Sequence, residues 1–314
     1  MTPDETPSAD SLSAREMEWT AVENGIDYLD DAVRILAYPS AESDRRRELK
    51  YAVLHLHAAT EVLLKYRLFR ENWALVLQKP AAAQEITARH VEIGDFVSCS
   101  VDTAIGRLRR ELQVAISKEE RDQIAALGKS RNALQHYGLV QAEAAIEAMA
   151  AVVLEFLNRF LDDHLLPDLP PPERNRVGDA LGRIQSGLGQ IRFYVEKRLK
   201  DLHAQLEPHK ERTVVCPVCR QWTLVAHPEG PARCLFCPMT MNPEQAAWLY
   251  SAEFVPYRSP PPTSDLFSQP LQPAIDSCST CRSKTLVQGT VVSAGKGRSI
   301  SFCFSCAAGR IPLP

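Results

Sequence analysis

Glycine is scarce in this chain, 14 of 314 residues, which excludes a collagen-like repeat and argues against a flexible, low-complexity chain. With 45% hydrophobic and 24% charged residues, the composition is that of a protein with real cores and mostly helical walls. Long apolar runs are also missing. The most apolar stretch, 148–161, is interrupted by Glu155 and Arg159 and falls short of the ~18 residues that span a bilayer. The acidic, polar start (MTPDETPSADS) has neither the basic end nor the apolar core of a secretory signal. These absences predict a cytoplasmic protein with no membrane partner. Cysteine is nearly absent from the first half: of nine, only Cys99 precedes position 216, and it is expected to be a small, partly buried core residue.

The length implies more than one folding unit, and charge separates the units. The formal net charge of −3 conceals 19 basic against 28 acidic residues in 1–170, a net of −9, and 17 against 11 in 171–314, a net of +6.

Residues 1–13 read as a solvated tail. Helical spacing follows over 14–36 and over 44–68, where Leu49, Ala52, Val53, Leu56, Thr60, Leu63 and Arg67 share one face. It returns at Ala104, Ile105, Leu108 and Leu112, and over 118–127, where Gly128 is placed to stop the helix. An apolar helix is expected over 140–165. The expected architecture is therefore mainly α: an N-terminal all-α bundle over 14–166, a connecting long helix, and two small β modules at the C-terminal end. Pro167, Pro170, Pro171 and Pro172 predict a stiff linker over 167–176. Beyond it Val177, Leu181, Ile184, Leu188, Ile191, Val195, Leu199, Leu202 and Leu206 recur at near-heptad spacing, which predicts a long helix or coiled coil over 177–207. Gly178, Gly182, Gly187 and Gly189 weaken its first half by roughly 1 kcal/mol each.

The remaining eight cysteines fall in four CxxC pairs. Cys216–Cys219 and Cys234–Cys237 are separated by 14 residues, Cys278–Cys281 and Cys303–Cys306 by 21. Two such knuckles bring four thiolates into a tetrahedron, the arrangement zinc prefers. The flanking segments 285–292 and 299–304 suit strands joined by a turn at Ala294-Gly295-Lys296-Gly297. The pattern resembles the zinc-ribbon family twice over, at 213–240 and 276–310, with a Pro-rich linker over 256–274 between them. Two structural Zn2+ ions per chain are implied; pairing within each ribbon or across the two is open. Disulfides are disfavoured without a secretory signal, and a redox CxxC calls for a single motif beside a βαβ unit. His227 lies inside the first ribbon but is not required there.

Arg220, Trp222, Arg233, Phe236, Arg282, Lys284, Lys296, Arg298, Phe302 and Phe304 mix cations with aromatics in the ribbons, as a single-strand nucleic-acid surface does. The same phenylalanines would equally pack the small zinc modules. Each zinc with four thiolates carries −2, so two sites reduce +6 to about +2, and bulk basicity is no argument for nucleic acid.

The first half carries a polar constellation, Arg131-Asn132-Ala133-Leu134-Gln135-His136-Tyr137. With the helical bundle, the second helix reading LHAATEVLLKYRL and an apolar helix following, it resembles the HEPN superfamily over about 14–165, whose motif is an Arg, a polar residue and a His after four to six residues. If helical, Arg131 and His136 lie about 7.5 Å apart along the axis and roughly 140° around it, so one chain does not close both on a small group, whereas a two-fold dimer would. The resemblance implies a homodimer with a composite site and a metal-independent endoribonuclease that leaves a 2′,3′-cyclic phosphate. Arg131 would clamp the phosphate, His136 would act as acid or base, and Asn132 would orient the site. Glu61, spaced i,i+4 from His57 on the second helix, would support the catalytic helix. Gly138 stands where some toxin members carry a Tyr, so regulation through such a Tyr does not carry over. A toxin or defence role, with an antitoxin or regulatory partner, fits the superfamily. The alternatives are a helical unit that binds without cutting, an unrelated bundle, and an adaptor in which the ribbons bind nucleic acid or protein while the bundle dimerises.

Overall fold

The computed structural model describes residues 19–40, 44–79, 84, 86–87, 89–90, 94–255, 274–295 and 297–310. The expected tail, the start of the first helix before Trp19, the 256–273 part of the second linker and Lys296 lie outside them. Among the described residues the chain forms eight α-helices followed or interleaved by two four-stranded antiparallel sheets, so the mainly α architecture with two C-terminal β modules holds. No described helix is long and apolar enough to cross a membrane.

Helix α1 (Ala21–Ala37) begins at Thr20, whose hydroxyl accepts from the Glu23 amide while the Glu23 carboxylate accepts from the Thr20 amide. That reciprocal cap satisfies two donors that a helix start leaves open. Helix α2 (Arg45–Glu71) is the centre of the bundle. Leu49, Ala52, Val53, Leu56, Ala59, Leu63, Leu64 and Leu68 are all buried, covering more than one stripe because α2 packs on α1, α3 (Val101–Glu111), α4 (Lys118–His136) and α5 (Glu143–Phe160). Gly25 sets the α1–α2 crossing: a Cβ there would stand 2.7 Å from Leu63 Cδ2. Between α2 and α3 the chain makes a short 3₁₀ turn, and the buried Arg107 (7% exposed) donates to the carbonyls of Leu75, Leu77 and Gln78. A buried guanidinium is tolerated here because carbonyls accept its protons.

Three expectations need correction. Gly128 does not end a helix: α4 runs unbroken from Ser117 to His136, and Gly128 faces the ring of His57 on α2. The Arg131–His136 segment is thus the C-terminal end of α4, separated by a turn from the last apolar helix of the bundle, which starts at Glu143 and continues as a π turn over Leu161–Leu165. The linker expected over 167–176 is only 167–170. Helix α6 (Pro171–Leu188) starts with prolines in its first turn, where the missing amide proton costs nothing. The single helix expected over 177–207 is two, α6 and α7 (Arg192–Leu206), broken at Gly189-Gln190. The periodicity was real but its partners are local. Helix α6 lies along α1, joined by Arg183–Asp30 and Arg176–Glu23, and Gly187 permits the approach, since a Cβ there would meet Val33 Cγ1 at 2.5 Å. Helix α7 packs on α5 through Arg198 and Glu155.

The first sheet, β1 (Thr213–Val215), β2 (Trp222–Val225), β3 (Ala232–Cys234) and β4 (Thr240–Met241), is a meander in sequence order and leads into α8 (Pro243–Phe254). The second, β5 (Ile275–Asp276), β6 (Leu286–Val291), β7 (Ser299–Cys303) and β8 (Ala308–Arg310), repeats the order. The two meet at a bridge between Val214 and Val292, at the Glu229 amide donating to the Ser305 carbonyl (2.9 Å), and at Tyr250, whose ring lies 5.6 Å from that of Phe304.

The start of α4 gives a stability test. Ser117 and Glu120 form a reciprocal cap, and Glu120 also accepts from Arg159 of α5 at 2.5 Å. Burial alone would raise the Glu120 carboxyl, but the Ser117 bonds and Arg159 outweigh it and hold it below its ordinary 4.5. A depressed folded-state value contributes stability above the unfolded value, which disappears as pH falls from about 4.5 through the folded one. Glu120→Gln is expected to lower the melting free energy by about 1 kcal/mol at pH 7 and to flatten the acid limb of a melting-temperature against pH profile; an unchanged limb would contradict the assignment.

Candidate functional site

Each sheet is organised by its cysteines. Cys216 ends β1, and its amide donates to Gln221 O (2.8 Å) while the Arg220 amide donates back to Cys216 O (2.9 Å). The second ribbon repeats this turn: the Cys278 amide donates to Ser283 O and the Arg282 amide to Cys278 O, both 2.8 Å. Both turns force the residue after the second cysteine into left-handed backbone, Arg220 at φ 59° and Arg282 at φ 61°, a conformation costing a non-glycine residue roughly 1–2 kcal/mol.

Four sulfurs converge in each ribbon, every pair within 4.8 Å: Cys216, Cys219, Cys234 and Cys237 in the first, Cys278, Cys281, Cys303 and Cys306 in the second. Grouping is within each ribbon, not across them. Cys216–Cys237 and Cys219–Cys234 stand at 3.8 and 3.7 Å, Cys278–Cys306 and Cys281–Cys303 at 3.9 and 3.6 Å. A tetrahedron with its centre 2.3 Å from each sulfur has edges of about 3.8 Å, so either quartet could hold a metal ion. None of these separations is a disulfide bond.

The thiols of each quartet are shifted in opposite directions by the hydrogen bonds among them. Hydrogen bonds from Cys216, Cys219 and Cys237 pull Cys234 far down, while Cys237, on the donating side, is pushed far up. Burial raises Cys303, but the Thr285 hydroxyl and the amides of Cys306 and Ser305 outweigh it, bringing it to about 6. Thr223 Oγ1 lies 3.1 Å from Cys234 Sγ, and Thr285 Oγ1 lies 3.3 Å from Cys303 Sγ. These hydroxyls and the left-handed arginines went unnoticed in the sequence, although a signal exists. Cys-x-x-Cys-Arg-x-x-Thr-Leu-Val occurs at 216–225 and again at 278–287.

The two quartets differ in surroundings. All four sulfur residues of the first are buried, and its knuckles rest on the helices. Gln221 Nε2 donates to Gly189 O (3.2 Å), and Arg198 donates to Phe236 O (2.8 Å) and Leu235 O (3.2 Å). In the second, Cys281 is exposed and Cys306 half-buried. Of the aromatics and cations expected on a nucleic-acid surface, Phe236, Phe302 and Phe304 are core residues, and Arg220 is paired with Glu253 at 2.5 Å. Trp222, Arg233, Arg282, Lys284 and Arg298 are exposed. Cys99 is buried, and burial raises its thiol.

In the bundle, Arg131 is half-buried and donates to Asn132 Oδ1 at 2.9 Å. Opposite on α2 stand Glu61, which accepts from Lys65, and His57, whose Nδ1 is 3.9 Å from Glu61. Burial lowers His57, Glu61 raises it, and the charges of Arg131 and Lys65 lower it again, leaving it below its ordinary value. Arg131 is therefore part of one electrostatic neighbourhood with His57, Glu61 and Lys65. His136 is not brought into it. It ends α4 exposed, its ring edge-on to Tyr137 at 6.2 Å, and Tyr137 is 95% exposed. The helical geometry keeps Arg131 and His136 on different faces, as the spacing requires.

No family model matches this chain, and no curated protein or solved structure compared with it matches either.

The unequal burial predicts unequal metal retention. In the metal-loaded chain, a chelator should release two equivalents in two phases, read by a metallochromic dye. Cys281→Ser should remove the fast phase and Cys219→Ser the slow one. A single phase of two equivalents would show that burial does not set the order.

Proposed function

We propose that the chain is a two-zinc protein whose helical unit cuts RNA at a site shared by two copies. The metal part rests on the sulfur geometry: edges of 3.6 to 3.9 Å fit the about 3.8 Å edge of a zinc–thiolate tetrahedron, whereas hard cations prefer oxygen ligands. With four cysteines each, the sites leave no open coordination position, so zinc would supply folding energy and not chemistry.

The observation that carries the nuclease part is the placement of the Arg131–His136 segment at the exposed end of α4, with Arg131 backed by His57, Glu61 and Lys65 and His136 facing solvent. In a two-fold pair of these ends, Arg131 grips the non-bridging oxygens of one phosphodiester. His136 of one copy takes the proton of the ribose 2′-OH as that oxygen attacks phosphorus. The P–O5′ bond breaks, the second His136 protonates the leaving oxygen, and a 2′,3′-cyclic phosphate remains. Asn132 orients Arg131, and Glu61 positions the helix from α2. A cytoplasmic toxin or defence role, held in check by a protein antitoxin, accords with this chemistry.

The test is incubation of labelled RNA with purified protein, with and without EDTA, beside Arg131→Ala and His136→Ala. The wild type should cut without added divalent metal, and each variant should be slower by about 100-fold or more. Equal cutting by all three, or none by the wild type on several RNA types, overturns the nuclease reading. Metal analysis should give two zinc per chain, and a value near zero in protein never exposed to chelator overturns the zinc reading. The second reading, an adaptor, is favoured by one observation, the solvent-facing knuckle of the second ribbon with Cys281, Arg282 and Lys284 exposed.

A further inference from the structure

The first ribbon gathers four basic side chains where β1 begins, β2 ends and β3 crosses. Arg212 directly precedes β1, and its carbonyl accepts from the Ala226 amide at 3.0 Å. His227 therefore follows β2 at that same end, and Arg233 on β3 is in register with Val225. His209 is brought up by the 3₁₀ turn Glu207–Arg212, whose place is fixed by Thr213 Oγ1 donating to His209 O at 2.8 Å. The His209 and His227 rings meet edge-to-face at 6.2 Å.

Among the described residues neither Arg212 nor Arg233 is in an ion pair. Of the carboxylates near them in sequence, Glu207 binds Lys210 at 2.6 Å, Glu211 lines the adjacent cleft with Arg298, and Glu229, on the turn after His227, is exposed. Arg212 NH2 stands 2.9 Å from His209 Nδ1. A guanidinium cannot accept, so Nδ1 accepts and the neutral ring carries its proton on Nε2. Nδ1 is thereby unavailable to a metal cation, and Nε2–H is free to donate. His227 is held below its ordinary value, first by burial, then by Arg212, His209 and Arg233.

Two guanidinium forks, neither of them in an ion pair among the described residues, beside the Nε2–H of His209 and the ring of His227 suit an anion with several oxygens, the chemistry of a phosphoryl group. The site is open, with Arg233 exposed.

We propose that His209, Arg212, His227 and Arg233 bind a backbone phosphate of single-stranded RNA. The choice of RNA rests on the reading above; the site itself does not depend on Arg131 or His136.

The experiment uses the full zinc-loaded chain carrying His136→Ala to suppress cutting, and a fluorescein-labelled 12-nucleotide single-stranded RNA read by anisotropy across a salt series. Arg212→Ala with Arg233→Ala should weaken binding at least tenfold and reduce the log–log salt slope by about 0.7, the value for one lost phosphate contact on a single strand. Millimolar inorganic phosphate should compete, and Arg212→Lys with Arg233→Lys should restore part of the affinity. Zinc content and melting temperature report whether each variant folds. His227→Gln, at a half-buried turn position, supplies a milder substitution with the same expected direction. Unchanged affinity and slope in the folded variants overturn the proposal, as does no RNA binding at all, or capture of a phosphopeptide in place of RNA. Binding without cutting by the wild type refutes only the nuclease. Cutting with binding indifferent to these four residues refutes only the phosphate site.

Discussion

Four sulfurs within 4.8 Å of one another impose a charge problem: as thiolates they repel, and as thiols they have too few good acceptors. A divalent cation held by the four sulfurs would resolve it, and much of the C-terminal architecture is arranged around that quartet. The knuckle turns, with arginines in left-handed backbone, carry a conformational cost that the two amide bonds per turn offset, and that a bound metal would offset further. In the first ribbon the same turns are also joints. One knuckle rests on the Gly189 break between α6 and α7, where a Cβ would stand 3.1 Å from Cys219 O. The other receives Arg198 from α7, which also holds Glu155 of α5. The cysteine quartet, the kink between two helices and the seating of the ribbon on the bundle are thus one coupled arrangement. The second ribbon leans on the first and keeps its knuckle in solvent.

The bundle solves a different problem, bringing long helices close enough to share one core. Close approach is achieved at glycine: Gly25 against Leu63 and Gly187 against Val33. An alanine at either site would have to displace a branched side chain within a packed interior, where cores tolerate little added volume. Glycine in a helix costs about 1 kcal/mol in propensity, and the contact it permits offsets that cost. The buried Arg107 is the polar counterpart, tying α3 to the chain after α2 through three carbonyls that no helix uses.

What the sequence revealed divides along the same line. Periodicity located α2, the apolar helix α5 and the ribbon strands because those patterns are local and repeat. It failed at Gly128 and at 177–207, where the same residues serve long-range packing. A glycine that ends a helix and one that admits a neighbour look alike without the neighbour, and a near-heptad seam is the same whether its partner is another helix of the chain or a second copy. The cysteine spacing carried the metal quartets almost completely, since ligand chemistry fixes it. The thiolate-facing Thr223 and Thr285 were encoded in a repeated decapeptide that becomes informative only when its two copies are compared. The four-residue basic cluster had no linear signal, because strand register assembles it from 209, 212, 227 and 233.

That cluster also bears on the charge contrast between the two halves. A helical half at −9 and a C-terminal half falling from +6 to about +2 with zinc in both sites do not make a uniformly basic surface. At physiological ionic strength exposed charges more than about 8 Å apart are largely screened, so net charge decides little about a polyanion at contact. Local groupings would decide it: in the proposed reading Arg131 at one place, and His209 with Arg212, His227 and Arg233 at another. A chain whose bulk repels nucleic acid while two confined sites attract it would hold a strand at those points and disfavour adhesion elsewhere. In such a protein the acidic background contributes to specificity, because each wrong placement of a phosphate brings it near carboxylates with no arginine between.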